Sequence, residues 1–80
     1  MINQSLFKFL NNLQKLQNDK IEEKKYPVCF VIPGGVVRGN FKNYDHDTEV
    51  VTISDSYISD IHLDIETTIQ TAIIQAWGKG

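Results

Sequence analysis

The run Gly34-Gly35-Val36-Val37-Arg38-Gly39-Asn40-Phe41-Lys42-Asn43-Tyr44-Asp45 decides how this chain folds. Pro33-Gly34-Gly35 supplies a tight turn, because proline presets one turn dihedral and glycine accepts the positive φ that the next position needs. Beyond the turn, Val37, Gly39 and Phe41 share one face of a strand, while Arg38, Asn40 and Lys42 share the other. A glycine on the inward face lets a strand bend hard without a side chain obstructing the interior, which a small closed barrel requires.

Upstream, Val28-Cys29-Phe30-Val31-Ile32 is a continuous apolar run and predicts a strand covered on both faces. Its one cysteine reads as a small buried hydrophobe in a reducing compartment. Residues 3–24 read differently. Ile2, Leu6, Phe9, Leu13 and Leu16, with Leu10 beside them, recur at spacings of four and three and make the stripe of an amphipathic helix. Asn3 or Ser5 can cap its start, and Pro27 stops it by about Tyr26. The expected domain is therefore residues 1–80, with the helix over 1–25 and a small β-barrel over 26–80. The helix reads as a lid on the barrel, with a partner-binding helix as the alternative.

Downstream, residues 43–47 form a loop. Glu49 to Ser54 predicts a strand with Val51 and Ile53 inward, broken by Asp55-Ser56. Asp60 to Glu66 alternates cleanly: Ile61, Leu63 and Ile65 on one face, Asp60, His62, Asp64 and Glu66 on the other. The segment from Thr67 to Trp77 supports two readings. Ile69, Ala72, Ile73, Ala76 and Trp77 have helical spacing, whereas Thr67, Thr68, Ile69, Thr71, Ile73 and Ile74 are β-branched and favour a closing strand. The strand is the preferred reading. The fold class is mainly β, a strongly bent five-stranded barrel behind one N-terminal helix.

An 80-residue chain buries only about 60–65 % of the surface its unfolded form exposes, so such domains gain from disulfides, metals or association. One cysteine excludes an internal disulfide. The net charge of −2, from eight Lys and Arg against ten Asp and Glu, lacks the basic excess of most nucleic-acid binders. Basic residues do gather in the first third and acids from Asp45 to Glu66, an asymmetry that favours self-association. No secretory signal or membrane span is evident, and the expected location is cytoplasmic.

The stretch from Gly34 to Asp45 resembles the first motif of the Sm-like (Lsm/Hfq) family: glycine, an apolar residue, glycine, then an aromatic-Asp pair. The resemblance implies a helix followed by five strands, and rings assembled by pairing an edge strand of one subunit with that of the next. Val50 to Ile53 and Ala72 to Ile74 would be the apolar edges. It also implies a ligand pocket near subunit interfaces, in the loop after Asp45. Thr48 stands there in place of the family's asparagine, with His46 and Tyr44 as stacking groups. The family's second motif ends in Arg-Gly; here Trp77-Gly78 takes that place and Lys79 follows. The Tyr-Lys-His signature of bacterial Hfq is absent.

Function follows in three readings. The first is a non-enzymatic homo-oligomeric Sm-like module that contacts RNA or a nucleotide through Tyr44, Asp45, His46, Thr48 and Trp77. The second is a protein that sequesters a small nucleotide-like ligand, of the kind found in phage and plasmid gene sets, meeting one or two phosphates with Arg38, Lys42 or Lys79. The third is a structural module whose helix is the contact surface. Catalysis is not expected: Cys29 sits mid-strand far from either histidine, and no nucleophile turn is present. No cofactor is called for. The row Asp60, His62, Asp64, Glu66 reads as a solvated or interface face, since same-face neighbours lie about 6.6–7 Å apart, too far to share an ion.

Overall fold

A computed structural model describes residues 4–19 and 25–80. One helix, α1 (Gln4–Asp19), precedes six strands: β1 (Pro27–Ile32), β2 (Gly35–Asp45), β3 (Val50–Ile58), β4 (Ile61–Leu63), β5 (Thr67–Gln70) and β6 (Ala76–Lys79). A 3-10 turn, Thr71–Ile73, separates the last two. All pairings are antiparallel, in the order β4-β3-β2-β1-β6, and β5 lies on β3 beside β4. The sequence expectation of one helix followed by a mainly β fold therefore stands. Five strands become six, because the segment from Thr67 to Trp77 is neither one strand nor a helix: the 3-10 turn divides it into β5 and β6.

β1 and β2 are joined by Pro33-Gly34, with Ile32 opposite Gly35. Gly34 takes φ +96, as the second central residue of such a turn must. Val37, Gly39 and Phe41 do point inward: Val37 and Phe41 are buried, and a Cβ on Gly39 would come within 2.9 Å of the Ser54 carbonyl oxygen and 3.0 Å of Ile53.

Two register shifts then decide which side chains the core receives. Between Phe41 and Asn43, β2 carries one residue more than its partner, and both Lys42 and Asn43 are exposed. Unbroken alternation would turn Asn43 and Asp45 inward and Tyr44 outward. The bulge reverses the phase, so that Tyr44 enters the core at 3 % exposure and Asp45 faces out. The second shift lies on β3 at Asp55, φ +49. It brings Ser56 inward, where its hydroxyl meets that of Thr67 at 2.6 Å. Asp55-Ser56 thus bends β3 without ending it, and the strand runs on to Ile58.

The core joins Val28, Phe30, Val37, Phe41, Tyr44, Val51, Ile53 and Ile69 to Leu6, Leu10 and Leu13 of α1. The helix stripe is as expected through Leu13, but Leu16 is half exposed. The calls on Ile2, Asn3 and residues 20–24 lie outside the described residues. Cys29 is half-buried, since β1 is fully covered only on the side of Val28 and Phe30.

The alternation from Asp60 to Glu66 yields only a three-residue strand. Ile61 and Ile65, which share one strand face in the sequence, are exposed at 66 % and 70 %, because β4 is an outer strand with nothing packed over it among the described residues. Val50 to Ile53 is not an edge: that stretch lies between β2 and β5. Ala72 and Ile73 fall in the 3-10 turn and Ile74 just past it, so they are not an edge strand either. Among the described residues, no helix is long and apolar enough to cross a membrane.

Candidate functional site

The sequence-derived candidates separate into three places. Tyr44, Asp45, His46 and Thr48 lie together at the β2–β3 turn. The Asp45 carboxylate accepts the amide hydrogens of Asp47 (2.9 Å) and Thr48 (3.4 Å), which closes the turn. These two bonds, with smaller contributions from the Thr48 side chain and His46, hold its pKa below the usual carboxylate value. Tyr44 is not an open stacking platform. Its ring is buried edge-on to Phe7 of α1, with centroids 5.5 Å apart, and meets His46 at 4.7 Å. Burial first, then the Glu49 and Asp45 carboxylates, raises its phenol above the usual value. His46 stacks on Phe7 at 6.0 Å and 29°, so one face of the imidazole is already covered. Thr48 is exposed.

Phe7 was not singled out in the sequence, because it lies beside the Leu6–Leu10–Leu13 stripe and not in it. Gln14 was missed too. Its Oε1 accepts the Tyr44 amide hydrogen at 2.8 Å, and Gln17 donates from Nε2 to the Phe41 carbonyl at 3.5 Å. The two glutamines bind the β2 backbone on either side of its bulge.

Trp77 and Lys79 lie on β6, opposite Phe30 and Val28. Trp77 starts from the core side of the sheet and is half-buried against the core; Lys79 is exposed. Arg38 lies on the opposite face, six residues before Tyr44, or roughly 20 Å along the strand. The structure therefore does not bring Arg38 together with the turn, or with the Trp77 and Lys79 side chains on the other face, inside one chain. Lys42 is exposed at the bulge.

Arg38 has neighbours of its own. In register across the sheet, on the face away from the core, run Gly78, Cys29, Arg38, Tyr57 and His62. Tyr57 is 45 % exposed and its ring meets that of His62 at 4.7 Å and 31°. His62 Nδ1 lies 3.5 Å from the Asp64 carboxylate. A groove of about 280 Å³ is lined by Gly35, Val36, Arg38, Tyr57, Ser59 and Asp60. A second, of about 200 Å³, shares Arg38 and Tyr57 and adds Asn40 and Asp55. The sequence conceals Tyr57 as a site residue because Asp55-Ser56 reads as the end of the strand, and His62 reads there only as part of a solvated or interface face. The row of Asp60, His62, Asp64 and Glu66 does not form, since β4 stops at Leu63. Among the described residues, no three His, Cys, Asp or Glu side chains are grouped to hold a metal ion.

Compared with models of known protein families and with curated proteins, the sequence matches none.

Proposed function

We propose that this chain is a non-enzymatic, homo-oligomeric Sm-like binding module for an RNA or nucleotide-type ligand, working as a ring in the cytoplasm. The observation that carries the reading is a sheet with two open edges. Among the described residues β6 pairs only with β1, and neither β4 nor β5 pairs with a second strand. The core face stays apolar at both margins: Ile61 follows Val37 and Ile58 across the sheet yet is 66 % exposed, and Trp77 at the far margin is only half-buried. Open edges with apolar flanks are unstable in isolation and pair with other chains. Two unlike edges pair head to tail, and a head-to-tail contact closes into a ring when its rotation permits.

The succession of helix, β1–β2 hairpin, bent β3 and a last strand returning to β1 agrees with the Sm-like resemblance of Gly34 to Asp45. The 46–49 turn adjoins β5, because the Thr71 amide, just past β5, donates to the Glu49 carbonyl at 3.0 Å. Pairing β6 of one copy with β5 of the next sets a Trp77–Lys79 strand beside a His46–Thr48 turn. Two separated candidate groups would become one pocket at a subunit interface.

The test is the salt dependence of binding by the purified oligomer to oligouridylate and to uridine monophosphate. A polymer reader loses affinity steeply with salt, while a protein that sequesters a small ligand loses little. If neither probe binds, the structural-module reading takes its place. Replacing Lys8 and Lys15, both exposed on α1, by Ala then asks whether the outer face of the helix carries the contact.

A further inference from the structure

The exposed row on the outer face is chemically distinct from the turn and from the sheet edges. We propose that Arg38, Tyr57 and Asp60 form a second binding site, one that takes a guanine base, either in a free nucleoside or nucleotide or in single-stranded RNA. The site lies within one chain and needs neither the ring nor the turn.

Tyr57 provides the flat surface. Its ring is braced by His62 on the β4 side and 45 % exposed to solvent. Stacking of a base on such a ring contributes about 1–3 kcal/mol irrespective of base identity. Arg38 stands directly opposite Tyr57 on β2. Among the described residues the only ion pair is His62 with Asp64, so the guanidinium keeps its fork of donors free. Guanine presents two acceptors, O6 and N7, that match this fork. Asp60 lines the same groove, and its carboxylate is the complementary acceptor for the N1–H and N2–H₂ donors on the base's other edge. Adenine has an amino donor where guanine has O6, so it would meet Arg38 with the wrong polarity.

The hairpin holds Asp60 in place. Ile58 pairs with Ile61 across two residues, Ser59 and Asp60, which both have positive φ (50 and 69). That is the twist-matched type I′ turn, here built without the usual Asn-Gly. The Ser59 amide also donates to the Val36 carbonyl at 3.2 Å, tying the turn to the wall of the groove. Asp55, Asp60 and Asp64 surround the row, so the local field disfavours a track of phosphates. The site is therefore suited to reading a base edge and not to following a backbone. A groove of about 280 Å³ lies just under the range of about 300–1,000 Å³ usual for drug-sized ligands, and suits a single base.

The experiment is an amide and side-chain NMR titration with guanosine, adenosine and a short single-stranded guanosine-containing RNA. The proposal expects guanosine to perturb Arg38, Tyr57, Asp60 and His62 and to bind at least about tenfold tighter than adenosine. Arg38→Ala and Asp60→Asn should each lower guanosine affinity by about five- to hundredfold. An RNA that binds more tightly than guanosine through the same residues makes the source a single strand; equal binding makes it a free nucleoside or nucleotide. Equal affinity for guanosine and adenosine, or wild-type affinity in both variants, overturns the proposal. Perturbation confined to the 44–48 turn also overturns it, and leaves the ring-pocket reading standing.

Discussion

The Gln14 side chain accepts the Tyr44 backbone amide hydrogen at 2.8 Å across the interface between α1 and β2. A bulge leaves a strand donor without its ladder partner, and a helix side chain supplies the acceptor. Gln14→Ala removes that acceptor and leaves a part-buried amide unsatisfied, at a cost of about 1–3 kcal/mol. Lys15→Ala, on the exposed side of the same turn of helix, should stay within about 0.5 kcal/mol. Urea denaturation of the two variants decides it: equal midpoints would mean the glutamine does not hold the bulge.

Tyr44→Phe should behave unusually for a core tyrosine. Its hydroxyl is buried and has no hydrogen-bond partner among the described residues, so removing it relieves a desolvation cost instead of breaking a bond. The expected result is unchanged or higher stability, by up to about 1 kcal/mol. Leu10→Ala, at 1 % exposure, should instead cost about 2–5 kcal/mol. A loss of more than about 1 kcal/mol in Tyr44→Phe would show that the hydroxyl has a partner.

Much of this was legible in the sequence, and the misses have separate physical causes. Helical spacing located Leu6, Leu10 and Leu13, and period-two alternation placed Val37, Phe41, Val51 and Ile53 inward. Alternation carries no mark of a bulge, and each bulge reverses every face beyond it. Tyr44, placed in a loop and given a stacking role by the family resemblance, is a core residue, while Tyr57, beyond the break read at Asp55-Ser56, stands exposed in register with Arg38. Nor does alternation say whether a neighbour covers the apolar face. Ile61 and Ile65 share one strand face in the sequence, yet among the described residues both are exposed. The Ser59-Asp60 hairpin lacks its usual signature, so the sequence places the break at Asp55-Ser56 and Asp60 in the following strand.

That hairpin yields a stability–function opposition. Non-glycine residues in the left-handed region cost roughly 1–2 kcal/mol, partly offset by the greater chain entropy of glycine. Asp60→Gly should therefore raise stability by up to about 1 kcal/mol while lowering the preference for guanosine over adenosine. Thermal denaturation and the nucleoside titration read the two effects separately. A variant that keeps the preference would remove Asp60 from the site.

Asp45 sets an acid limb. Its folded pKa lies below the ordinary value of about 3.9, so its stabilising contribution is fully present above the unfolded pKa. The contribution is lost as pH falls through the folded pKa. Asp45→Ala should be less stable than the parent at neutral pH, and the gap should narrow as pH falls through and below the ordinary carboxylate range. Urea midpoints measured across that range check the sign; a gap that widens on acidification would contradict the turn geometry.

The central claim, assembly through open strand edges, is tested most directly by native mass spectrometry of the parent protein beside Lys79→Pro. Gly80 donates its amide hydrogen to Pro27 across β1. By antiparallel alternation the Lys79 amide then points to the open side of β6. Proline there removes an outward donor without touching the β1 ladder. The account predicts one discrete oligomer for the parent and a folded monomer for Lys79→Pro. A monomeric parent, or a variant oligomer of unchanged size and stability, would contradict it.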